Sequence, residues 1–127
     1  MKPFDKHLTA TAIHEQADEP RIDALIGLFK LLSDPTRLRI LLMLREGELN
    51  VSTLCDRLDL PQPTVSHHLG LLRMSNIIEN RRSGKQVFYA LNGRVGQSDA
   101  DLLRIGLESY NVAIGHAAQQ EESGRSV

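Results

Sequence analysis

The 127-residue chain has one cysteine, no tryptophan and only 4% aromatic residues. A single thiol, Cys55, excludes a disulfide within the chain and fits a reducing compartment. So few rings leave little surface on which single-stranded bases can stack. Long apolar runs are also missing. The longest, residues 38–44, is broken by Arg39 and falls well short of the roughly 20 apolar residues of a membrane span. Lys2 and Lys6 are not followed by an apolar stretch, so no secretory signal is expected. The expectation is a soluble cytoplasmic protein with room for one core and no second catalytic domain.

A strong charge of either sign is missing too, since the net value is −1. Its distribution is uneven, however. Residues 1–34 carry 4 basic and 6 acidic side chains, residues 35–92 carry 8 and 5, and residues 93–127 carry 3 and 5. Only the middle is basic, as a localised phosphate-binding face requires.

What is present is helical periodicity. Residues 1–17 are polar and read as an N-terminal extension, and residues 119–127 as a C-terminal tail, leaving one domain over residues 18–118. After Asp18 and Pro20, the residues Ile22, Leu25, Ile26, Phe29 and Leu32 form one apolar stripe. Asp34-Pro35 opens a second helix, because Asp caps free N–H groups and Pro at the first helical position loses no bond. That helix is apolar nearly all round, which predicts burial at the centre.

Asn50 caps a short third helix with Val51, Leu54, Cys55 and Leu58 on one face. The chain turns at Asp59-Leu60-Pro61, and a fourth helix from about Gln62 to Met74 turns Val65, Leu69 and Leu72 inward. Two short helices joined by a tight turn have the sequence form of a helix-turn-helix. Two strands follow, around Ile78 and from Gln86 to Leu91, joined by a hairpin turn containing Gly84. This wing carries Arg81, Arg82 and Lys85. A last helix is expected from Asp99, with Leu103, Leu107, Tyr110, Ile114 and Ala117 alternating in steps of 4 and 3, like a coiled-coil seam. Such a stripe needs a partner, and the simplest is the same helix of a second chain, packed with Ile22, Leu25 and Phe29. The expected fold is mostly α with a small β-hairpin: a winged helix-turn-helix of five or six helices plus a two-stranded wing.

In this order the elements resemble the ArsR/SmtB family of bacterial winged-helix repressors. The residues that carry the resemblance are LLSDPTRLRILLML (31–44), GELNVSTLCDRLDLPQPTVSHHLGLLR (47–73) and RRSGKQVFYALN (81–92). The resemblance implies a homodimer on operator DNA that lets go when an inducer, often a metal ion, binds.

Helical geometry selects the DNA-facing residues. With Val65 facing the core and about 100° per residue, His67 lies near 200°, Ser66 near 100° and Thr64 near 260°. Gln62 stands at the N-terminal end, where recognition helices meet base edges. Gln pairs with adenine through two hydrogen bonds, and Ser and Thr reach bases or phosphates. The expected DNA contacts are therefore Gln62, Thr64, Ser66 and His67, with Arg81, Arg82 and Lys85 on the wing and Arg37 on the backbone. His68 falls on the core side and reads as structural.

The resemblance also locates sensor sites, and their ligands are incomplete here. The thiolate positions C-x-C-x-x-C fall on Asn50, Ser52 and Cys55, so two of three sulfurs are missing. Asn50 is accounted for as a cap, and Cys55 as a small hydrophobe on the apolar stripe; thiol oxidation at Cys55 is the alternative. The zinc-type pattern on the last helix begins Asp99-x-Asp101 without its His, and its later positions fall on Val112 and Gly115. His7 and His14, joined by His116 of a second chain, are the remaining metal arrangement, and they read more simply as polar surface. No metal and no cofactor is expected, and the inducer is left open.

Three function classes follow: a dimeric DNA-binding repressor, which leads; a winged-helix protein-interaction module without DNA binding; and an enzyme. The last has no support, because Ser66-His67 lies on an open helix face without an orienting carboxylate.

Overall fold

The computed structural model describes residues 20–93, 95–97 and 102–117. The segments read as extension and tail, with His7 and His14, lie outside the described residues. Four helices come first: α1 (Pro20–Leu32), α2 (Pro35–Leu44), α3 (Val51–Leu58) and α4 (Gln62–Met74). A two-residue strand β1 (Leu49–Asn50) precedes α3, and β2 (Ile78–Ser83) and β3 (Gln86–Leu91) follow α4. No helix among the described residues is long and apolar enough to cross a membrane.

Local chemistry accounts for the helix boundaries. The Asp34 carboxylate accepts the N–H groups of Thr36 at 2.8 Å and Arg37 at 3.1 Å, closing the start of α2. Asn50 does the same for α3 through the N–H of Thr53 at 2.8 Å. Asp59 ends α3 in the left-handed conformation (φ 57°), and the Leu60 N–H then reaches back to the Cys55 carbonyl. Asn76 (φ 61°) ends α4 similarly, with the Ile77 N–H donating to Leu72 at 3.0 Å. Asn and Asp are the non-glycine residues that best tolerate this conformation.

The helices close over Ile40, Leu41, Leu44, Leu54, Leu69 and Leu72, all essentially without solvent exposure. The interior helix α2 sits at the centre, as its apolar surround requires. Strand β3 lies between β1 and β2, with Arg81 opposite Phe88 on one side and Asn50 opposite Phe88 on the other. The wing is therefore a three-stranded sheet, and Arg81 and Arg82 lie within strand β2 instead of in the turn. Gly84 occupies the turn at φ 64°, a conformation that favours glycine.

The expectation of a last helix is corrected. Residues 103–106 and 111–114 form strands, not a helix: β5 (Leu103–Gly106) lies between β4 (Val95–Gln97) and β6 (Asn111–Ile114) in a second antiparallel sheet. The described residues thus hold four helices, not five or six. The physical reason is a second periodicity hidden in the same residues. Leu103 and Ile105 are buried while Arg104 is exposed, and Val112 and Ile114 alternate with exposed neighbours. These apolar residues, three of the four β-branched, face one another across the strands, in the pairs Leu103–Ile114 and Ile105–Val112. The expected seam of Leu103, Leu107, Tyr110 and Ile114 therefore does not exist as a helix face. Leu103 is wholly buried in the chain's own core, Leu107 and Ile114 pack against that core, and Tyr110 lies in the connection between β5 and β6.

On α1 the inward anchor is Leu28, with Leu25 and Leu32 half-buried, whereas Ile22, Ile26 and Phe29 are 44%, 44% and 55% exposed. Three of the five residues of the apolar stripe thus look outward from the chain.

Candidate nucleic-acid interface

Helix α4 has two chemically distinct faces. Val65, Leu69 and Leu72 are fully buried, and Gln62, Thr64, Ser66 and His67 are exposed. The four residues expected to face DNA thus share one open surface at the N-terminal half of the helix. His67 and His68 are adjacent but differently placed: His68 is mostly covered, and the two rings meet edge to face at 5.5 Å.

The wing cations divide in two. Arg81 is held by Glu48, its Nε donating to Oε2 at 2.7 Å and a terminal nitrogen to Oε1 at 2.8 Å. Its guanidinium also lies 4.8 Å from the centre of the Phe88 ring. The pair lowers the carboxyl pKa of Glu48, first through the Arg81 hydrogen bond, with desolvation opposing and charge attraction adding, and it raises that of Arg81. Arg82 and Lys85 are exposed and have no ion-pair partner among the described residues.

Arg37 is turned inward. Its Nε donates to the Leu31 carbonyl at 2.7 Å, and a terminal nitrogen lies 3.2 Å from His68 Nδ1. Its side chain is 15% exposed, so its charge is spent inside the fold instead of on the surface. Sequence reasoning missed both the Glu48 clamp and this inward turn. The partners stand 33 and 31 residues apart in the chain, and no local pattern reports such a pairing.

An open groove of about 360 Å³ separates α3, the start of α4 and the wing; Ser52, Cys55, Asp56, Gln62, Lys85 and Gln86 are among the residues that line it. Cys55 is a half-buried free thiol, and Asn50, besides capping α3, donates to Gln86 at 3.2 Å. The three positions where the resemblance places thiolates therefore hold a cap, an exposed hydroxyl and one sulfur. No group of three or more His, Cys, Asp or Glu side chains suited to a metal occurs among the described residues.

A buried three-helix support, a reading helix with a polar outer face and an adjoining basic hairpin define a winged helix-turn-helix. The sequence matches the model of the bacterial regulatory protein family arsR over residues 34–80, the stretch from the α2 cap into the wing. It is 42% identical over 106 residues to the arsenical resistance operon repressor of Escherichia coli, covering 80% of this chain and 91% of that protein. Among solved structures, the transcriptional repressor BigR from Xylella fastidiosa superposes with a TM-score of 0.56 at 42% identity, over 61% of this chain and 80% of that one. A homodimeric winged helix-turn-helix DNA-binding domain from Mycobacterium bovis gives 0.55 at 28% identity, over 60% and 70%. The chain belongs to the arsR family of bacterial regulatory proteins. It is a winged helix-turn-helix transcriptional regulator, in a family of regulators and not of enzymes.

Proposed function

We propose that the protein is a homodimeric, sequence-specific repressor that occupies operator DNA in the bacterial cytoplasm and leaves it on a signal. The observation that carries this reading is the split of α4, with Gln62, Thr64, Ser66 and His67 exposed opposite three fully buried apolar residues. A helix with that face, presented beside a basic hairpin, has the form that enters a major groove. Arg82 and Lys85 then neutralise flanking phosphates, and a second copy covers Ile22, Ile26 and Phe29 on α1. The relatives' repressor names and the homodimeric neighbour support the same reading. The working unit is proposed to span residues 18–118.

The signal is not a soft metal held by three thiolates on and just before α3, because that chemistry needs clustered sulfur and this segment offers one.

Selection of bound fragments from a random DNA pool tests the proposal. The expected product is an inverted repeat with half-sites about one helical turn apart. No enrichment over the input pool would refute it and favour a protein-interaction module.

A further inference from the structure

The side chains of Asp34, Arg37 and His68 meet where α1 ends, α2 begins and α4 passes. Arg37 joins all three elements. Its Nε satisfies the Leu31 carbonyl near the end of α1, one of the terminal carbonyls that a helix leaves without an internal partner. Its own backbone N–H is held by Asp34, and its terminal nitrogen faces His68 Nδ1 at 3.2 Å. A guanidinium has donors only. The contact is therefore a hydrogen bond in the tautomer whose Nδ1 is bare and whose hydrogen sits on Nε2.

From this geometry we infer that Arg37 and His68 are positioning residues, which set the pose of the recognition helix against the α1–α2 corner and make no contact with DNA. The inference rests on reading α4 as the DNA-reading helix. His68 is one residue from His67, so a turn of α4 about its axis or a slide along it moves the whole polar face. The packing of Val65, Leu69 and Leu72 sets which face of the helix turns inward, but aliphatic contacts carry no directional bond. Arg37 supplies one.

The ionisable groups facing His68 are Arg37 from α2, Asp34 from the turn before α2 and His67 from α4 itself. Helix α3 and strand β2, also packed on α4, supply no charged contact to it among the described residues. Asp34 lies against both side chains, its carboxylate 4.0 Å from the Arg37 guanidinium and 3.9 Å from His68 Nδ1, so the corner is held by all three groups together.

Three measurements on the full chain decide the matter. Nitrogen-15 NMR of wild-type protein at pH 7.5 reads the His68 tautomer directly: a bare Nδ1 is expected, and a protonated Nδ1 overturns the inference. Arg37→Gln is expected to lower affinity for the selected operator about tenfold, with the slope of log affinity against log salt unchanged. A slope smaller by about one unit would make Arg37 a phosphate ligand and overturn it. His68→Gln retains an acceptor and is expected to bind the selected operator like wild type, whereas His68→Leu, which has none, is expected to bind about tenfold more weakly. Equal binding by all three proteins would overturn the inference. If wild-type protein bound no DNA, the function reading would fail, and the tautomer alone would decide the anchor.

Discussion

Single side chains here owe their roles to what neighbours leave them free to do. Gln62 projects from the first position of α4 with its amide exposed. Replacing it by Ala is expected to cost about 1–3 kcal/mol of discrimination at one base position, with little change in binding to unrelated DNA. Competition binding against operators mutated one position at a time reads this out. Glu48 gives a pH effect of definite sign. The hydrogen bond from Arg81 holds its carboxyl below the ordinary value of 4.5, so the pair stabilises the fold above that value. That stabilisation is lost as pH falls through the lower, folded-state value. Glu48→Gln should therefore melt earlier than wild type at pH 7, with the difference shrinking toward pH 3. Melting curves across that range check it, and a difference that grew on acidification would contradict it.

At the scale of elements, the proposal gives the wing and helix α4 different kinds of binding. Arg82 and Lys85 lie in and beyond β2 without ion-pair partners among the described residues, whereas Arg81 is already neutralised by Glu48. Removing Arg82 and Lys85 together is expected to flatten the salt dependence by about two units, equally for specific and random DNA. Removing Arg81 should change the slope much less and instead loosen the sheet. The helical elements were legible in sequence because each is announced locally: Asp34 and Asn50 cap, Asp59 and Asn76 terminate, and Val65, Leu69 and Leu72 repeat with helical spacing. The intramolecular partners of Arg81 and Arg37 were not legible for the opposite reason. A basic residue near a reading head looks like a phosphate ligand until its distant partner is known.

At the scale of the molecule, the exposed Ile22, Ile26 and Phe29 on α1 are the surface proposed for a second copy. Phe29→Asp is expected to convert the dimer to a monomer at micromolar concentration while the fold persists. Sedimentation and circular dichroism check this together. A variant that stayed dimeric would move the interface elsewhere. The C-terminal sheet takes no part in the seam once expected there, since Leu103 and Ile105 are consumed by the core of their own chain.

The amino-acid sequence determined the reading head unaided. A single cysteine, a basic middle, two capped helices around a tight turn and a glycine hairpin needed only neighbouring residues to declare themselves, because caps and periodicity act over one or two turns. Tertiary structure decided three things that such signals do not carry. It chose strands over a helix for residues 103–106 and 111–114, where Leu103, Leu107, Tyr110 and Ile114 keep a helical spacing, Leu103, Ile105, Val112 and Ile114 keep a strand spacing, and only cross-strand packing settles which wins. It gave Arg81 to Glu48. And it turned Arg37 inward toward His68, because an inward guanidinium needs a carbonyl, a carboxylate and a ring nitrogen brought together from separate parts of the chain.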